Sequence, residues 1–330
     1  MKKELVKLIL SILVTMILVK VAAAQLVLPT TLALKVNPTT PLPNSAAVAT
    51  AWLSGSDTSG ANFIWFLNNV RQSDSSGVDK NTLSFQTEKL GSVNTITVSV
   101  TTTIGENLRD SISFTVSDAD LTWSAQNQAP TDYEGKLLPS EGTKMTVSVL
   151  PIVFSPGTKT QLNPNNLNYR WFLNNIFNSS ASGLGKSVYK YSAGTNGDNL
   201  KVQISNTQNT VMVEKSVAIP VVAPKVLIFL ADNAGNIIYR SAITAFVSNL
   251  GQKLTLKAVP YFFNLLPAQL TWSWFVNDKK MAETPRNPLV GSLEIPKDIV
   301  TPSNFQITIT AMNPYFNAEN AQNLININVK

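Results

Sequence analysis

One five-residue pattern constrains the fold of this chain more than any other feature. Trp65-Phe66-Leu67-Asn68-Asn69, Trp171-Phe172-Leu173-Asn174-Asn175 and Trp274-Phe275-Val276-Asn277-Asp278 each end a β-like run on a polar pair. The tryptophans stand 106 and 103 residues apart, close to the length of one β-sandwich domain. Asn and Asp tolerate positive φ better than other non-glycine residues, so each pair suits a tight hairpin turn. Three copies of one strand-and-turn unit predict three domains of one kind.

Period-2 alternation of apolar and polar residues marks the other strands. It predicts strands over 46–53, 62–68, 83–86, 95–102 and 111–117 in the first repeat. In the second it predicts 121–126, 145–150, 168–174, 188–191, 200–205 and 213–222. In the third it predicts 226–230, 237–240, 254–259, 270–277, 305–311 and 324–329. Val100, Ile204 and Ile309 follow their tryptophans by 33 to 35 residues. In an immunoglobulin-type sandwich a Trp on strand C packs between the sheets against strands B and F. The Trp run is therefore read as strand C, the Val/Ile run as strand F, and all three tryptophans as core.

On these Trp strands, the Asn-rich turns and the domain period, residues 25–330 resemble the tandem immunoglobulin-like and PKD-like domains of bacterial secreted and cell-surface proteins. The resemblance implies an all-β chain of three tandem immunoglobulin-like β-sandwich domains, over 25–118, 119–222 and 223–330, after an N-terminal signal or anchor segment. It also implies a structural or adhesive role at a cell envelope, as spacer or interaction platform. The alternatives are a recognition module for a glycan or protein partner, or an accessory subunit of a surface assembly.

Chemistry is sparse. The 330 residues contain no Cys and no His, which removes Ser-His-Asp and Cys-His nucleophiles and the usual zinc sites. Without disulfides each domain must be held by its core, and 44% apolar residues allow this. Gly183-Leu184-Gly185-Lys186 lacks the spacing of a phosphate-binding loop. No carboxylate pair stands out, so no enzymatic activity, cofactor or metal is expected. Asp118, Asp120 and Glu88 are read as solvated acids rather than a calcium site, and Asp232–Asn236 as a hairpin turn. Scattered Lys and Arg argue against a nucleic-acid partner.

The N-terminus reads as an export signal. Lys2, Lys3 and Lys7 precede an apolar run over 8–19, and small residues precede Gln25. The expectation is a signal peptide over 1–24, with an uncleaved anchor over 5–24, the chain's one route into a membrane, as the alternative. Without residues 1–24, 22 basic residues face 19 acidic ones. The mature chain is expected to be extracellular, periplasmic or at the cell surface.

The loops carry positional information. The first B–C loop, 54–60, is polar, whereas the second begins Pro151-Ile152-Val153-Phe154 and the third Pro260-Tyr261-Phe262-Phe263. Ile176-Phe177 follows the second turn, Lys279-Lys280 the third, and Tyr315-Phe316 lies in the third F–G loop. Loops that meet a neighbouring domain would be apolar. Phe154, Ile176, Phe177, Tyr261, Phe262, Phe263, Tyr315 and Phe316 are therefore the candidate contacts, either between domains or with a protein or glycan partner. Interdomain packing predicts burial of Tyr261, Phe263 and Phe316 against 165–185 or 205–215, and a semi-rigid rod stiffest at its second junction.

Overall fold

The structure, a computed structural model, describes residues 29–239, 241–281 and 287–330. The expected signal or anchor over 1–24 lies outside the described residues. Among those described the secondary structure is β, with two short 3-10 turns. No helix among them is long and apolar enough to cross a membrane. The chain divides into two compact units: one runs to Asp118 and includes Val153–Gln161, and the other holds Ala119–Ile152 and Leu162–Lys330.

The first unit pairs two sheets. One orders Thr31–Asn37, Ala46–Ser54 and Thr82–Gln86; the other orders Val70–Arg71, Asn62–Leu67, Val93–Thr101 and Asn107–Thr115. Alternation along each strand sends one set of side chains inward. Leu34, Val36, Ala49 and Ala51 from one sheet meet Phe63, Trp65, Ile96 and Val98 from the other, and Trp65 is fully buried. Strand Thr31–Asn37 was not expected from sequence; it runs between Pro29 and Pro38, and the Asp110 carboxylate accepts the Leu34 N–H at 3.0 Å. Val153–Gln161 packs onto this unit. Thr115 Oγ1 donates to the Thr158 carbonyl at 2.6 Å, and Ser117 Oγ accepts the Phe154 N–H at 3.1 Å.

The second unit holds two further sheet pairs. In the first pair Asp118–Ala125, Lys144–Ile152 and Val188–Ser192 oppose Ile176–Leu184, Asn168–Leu173, Asp198–Ser205 and Met212–Ile219. Trp171 and Tyr189, from opposite sheets, place their ring centroids 5.7 Å apart. In the second pair Lys225–Ala231, Lys253–Tyr261 and Val290–Glu294 oppose Ala245–Ser248, Asn320–Val329, Ser303–Met312, Thr271–Val276 and Lys279–Lys280. Ile228, Leu256, Trp274, Ile309 and Ile327 fill that core. Residues 237–239 are not a strand, although alternation suggested one; Ile237 makes a single bridge to Ala231. The turn before it closes through Asp232, whose carboxylate accepts the N–H groups of Ala234 and Asn236.

All three polar turns have both central residues at positive φ: 50° and 66° at Asn68-Asn69, 51° and 66° at Asn174-Asn175, 45° and 63° at Asn277-Asp278. A two-residue type I′ hairpin requires this backbone. The first Asn of each pair does more. Asn68 donates its N–H to the Thr95 carbonyl, and its side-chain oxygen accepts the Thr95 N–H, both at 2.8 Å. Asn174 with Asn199 and Asn277 with Gln306 repeat the exchange. The side chain stands in for one more backbone carbonyl and extends the C–F ladder past its end.

Candidate functional site

A set of long-range polar and aromatic contacts joins the two sheet pairs of the second unit. One half comes from the connection 126–143, between Ala125 and Lys144; the other comes from the loops after Tyr261 and Met312. Phe262 donates its N–H to the Gln128 carbonyl at 2.6 Å, and Gln128 donates to the Phe263 carbonyl at 2.7 Å. These two bonds form an antiparallel bridge between Gln128 and Phe263. Phe262 has φ +64°, a conformation that costs a bulky residue about 1–3 kcal/mol and persists only when its surroundings enforce it. The bridge and the Tyr133 ring, edge-on at 5.6 Å, enforce it here.

A polar clasp lies beside the bridge. Thr143 Oγ1 donates to the Asn264 side-chain oxygen at 2.6 Å, and Asn264 Nδ2 donates to the Glu141 carbonyl at 3.0 Å. Glu319, 1% exposed, accepts from the Asn264 N–H and the Asn313 amide. Buried polar groups stabilise only when satisfied; Thr143 and Asn264 satisfy one another across the joint, and Glu319 is satisfied within the third sheet pair. Asn127, also buried, donates to the Leu138 carbonyl at 2.6 Å, while its side-chain oxygen has no hydrogen-bond partner. The linker is tied in where Val222 donates to the Pro139 carbonyl at 2.9 Å.

The candidates taken from the loops fall into different environments. Phe263 is 1% exposed and belongs to the core of the third sheet pair, whereas Phe262 is buried under Tyr133. Tyr261 stands edge-on to Tyr133 at 6.0 Å. Burial raises its hydroxyl pKa, and the nearby Asp132 carboxylate adds to the effect. Phe316 lies over Gly142, where a Cβ would meet its ring at 3.5 Å, while Tyr315 is 84% exposed. Tyr261, Phe262, Phe263 and Phe316 meet 127–143 and not the expected 165–185 or 205–215, because the long connection reaches the third sheet pair. Ile176 and Phe177 are exposed at 73% and 45%. They begin an edge strand, and Phe177 packs on Phe172 of its own sheet at 5.5 Å beneath the Arg170 guanidinium. Phe154 is half-buried, its ring 3.3 Å from where a Cβ on Gly91 would stand.

Sequence reasoning missed Gln128, Tyr133 and Thr143 on one half of the joint and the polar Asn264 and Glu319 on the other. Connection length was the available signal, since a stretch as long as 126–143 without its own secondary structure is uncommon in a compact domain and usually functional. Among the described residues no group of three His, Cys, Asp or Glu could hold a metal ion.

No protein-family model matches the chain, and no curated protein matches it. Among solved structures it is similar to the three N-terminal domains of the bacteriophage RB49 Highly Immunogenic Outer Capsid protein. That similarity is 12% identity over 92% of this chain and 99% of the other, with a TM-score of 0.26. It is also similar to the central fibronectin-III array of RIM-binding protein, at 10% identity, 92% and 98% coverage and a TM-score of 0.27. A bacterial ice-binding adhesin structure gives 11% identity, 92% and 96% coverage and a TM-score of 0.23. Likeness this distant carries no function across. The sheets themselves define the class: an all-β chain of sandwich-like sheet pairs.

Proposed function

We propose that the chain is an exported, non-enzymatic spacer and interaction platform at a cell envelope. On this reading three immunoglobulin-like domains, 25–118, 119–222 and 223–330, follow a signal or anchor segment. The observation that supports it is the clasp of Asn264 with Thr143 and Glu141, which on this reading ties the second domain to the third. A joint closed by buried hydrogen bonds and aromatic packing transmits position; a bare linker does not. The exposed Tyr315 favours a second reading, recognition of a glycan or protein at the same end of the third domain.

Because the chain has no Cys, two spin labels can be placed without background, at Ser216→Cys and Asn328→Cys, both exposed strand positions. Their distance distribution in the whole chain is expected to be single and narrow, and to broaden in Asn264→Ala. A broad distribution in the parent chain would sink the platform reading.

A further inference from the structure

A cleft opens beside the clasp. Its floor is the outer face of the sheet containing Lys225–Ala231 and Lys253–Tyr261. Successive side chains point to opposite faces, so Ile228 and Ala258 enter the core while Phe229 and Val259 point outward. Both outward residues are nonetheless buried, at 7% and 9% exposure. The loop around Asp132 covers them from one side and Ile237 from the other. These walls do not close. They leave about 570 Å³, within the range of about 300–1,000 Å³ typical of ligand pockets. A second depression of about 240 Å³ shares Asp132, Ile237 and Val259 with it and reaches Lys257.

The lining has two characters. Phe229 and Val259 offer an apolar floor, and the edge-on rings of Tyr133 and Tyr261 form an aromatic wall. Asp132 and Glu134 are exposed on the same lining, and among the described residues neither has an ion-pair partner. The nearest cation in sequence is engaged elsewhere. Lys136 holds its Nζ 3.4 Å from the centre of the Trp123 ring, where burial lowers its pKa. The cleft's own lining is thus acidic and aromatic, with Lys257 in the adjoining depression, in a chain of net charge +6.

We propose that this cleft receives an arginine side chain carried on an extended, apolar segment of a partner protein. A guanidinium is planar, stacks on a tyrosine face and pairs with carboxylates. The methylenes and flanking apolar residues would cover Phe229 and Val259. Two tyrosines set edge-to-face present no coplanar platform of the kind a sugar ring would favour. The proposal rests on the interaction-platform reading and names the chemistry of its partner.

The test is a calorimetric titration of the whole chain with the probe peptide acetyl-Val-Arg-Val-Arg-Val-amide and with its citrulline counterpart, which keeps the shape and removes the charge. Saturable binding is expected, weakened at least tenfold by citrulline, by Asp132→Asn with Glu134→Gln, and by added salt. Tyr261→Ala is expected to weaken it as well. No saturable binding of the arginine peptide overturns the proposal. So does equal binding of both peptides, or binding indifferent to the two carboxylates. An oligosaccharide that binds in the peptide's place, with loss only in Tyr261→Ala, assigns the cleft to a glycan and also overturns it. The spin-label distances at 216 and 328 report the joint separately, so an empty cleft on a rigid joint and a loose joint are distinguishable results.

Discussion

Three residues at one place in the repeat show how far local chemistry departs from shared architecture. Thr95, Asn199 and Gln306 each answer the first Asn of their turn, so Asn94, Asp198 and Phe305 occupy equivalent positions. Asp198 is buried and accepts the Gly194 N–H at 3.1 Å. Asn94 is 1% exposed, and neither amide atom has a hydrogen-bond partner. A buried polar group left unpaired costs its desolvation without return. Asn94→Leu is therefore expected to stabilise the first unit by about 1 kcal/mol, and Asp198→Leu to destabilise the second. Denaturant midpoints of the two variants check the opposite signs. The contrast could not be read from sequence: both residues are polar at an inward position, and only the loop around Gly194 separates them.

At the scale of elements, the Trp motif is longer than its first five residues. Segments 65–80 and 171–186 agree at nine of sixteen positions, including Ser76 with Ser182, Gly77 with Gly183 and Lys80 with Lys186. Each agreement has a mechanism. Ser76 Oγ accepts the Trp65 N–H at 3.0 Å, and Ser182 Oγ accepts that of Trp171 at 2.9 Å. The indole Nε1–H groups reach the carbonyls of Lys80 and Lys186, both at 2.9 Å. The strand opposite the tryptophan bulges, and a serine hydroxyl replaces the missing ladder carbonyl. Ser182→Ala leaves the buried Trp171 N–H unpaired and is expected to cost about 1–3 kcal/mol. Trp fluorescence during unfolding would read the loss, which Ser182→Thr should largely spare. This bulge also explains why Ile176–Leu184 escaped pattern reading: its residues are small and polar and do not alternate. Ala245–Ser248 escaped because it is short; it runs parallel to Asn320–Val329 and covers an edge of its sheet. The equivalent edges of the other two sandwiches carry Arg109-Asp110 and Glu214-Lys215, charges that discourage pairing with another chain.

For the whole molecule, the positions of the tyrosines predict a response to alkali. Burial holds the Tyr169 hydroxyl up at about 12. It also raises Tyr189 and, with the Asp198 carboxylate adding, Tyr191. An unfolded tyrosine ionises near pH 10. Above about pH 10 the unfolded chain therefore binds fewer protons than the folded one, and stability falls as pH rises. The contribution is fully present below about pH 10 and is lost toward about pH 12, at about 1.4 kcal/mol per pH unit for Tyr169. Tyrosinate absorbance and circular dichroism should change together over that window, and Tyr169→Phe should delay both. The broad plan was legible in sequence because a repeated Trp strand and its turn are local signals. The joint was not, because Thr143 and Asn264, or Asn127 and Phe262, are more than 120 residues apart and no periodicity links them.

The short segment Val153–Gln161 has a consequence for how the protein comes to be made. It lies beyond Asp118 in the chain yet belongs with the first compact unit, where Phe154 covers Gly91 and the Thr158 carbonyl takes the Thr115 hydroxyl. Synthesis runs from the N-terminus, and domains generally fold as they emerge. The first sandwich can pair its strands once Thr115 has left the ribosome, but its cover arrives only after a further strand-rich stretch has emerged. Completion of the first unit is thereby made to wait until the chain has been made through Gln161, and that delay is written into a nine-residue loop.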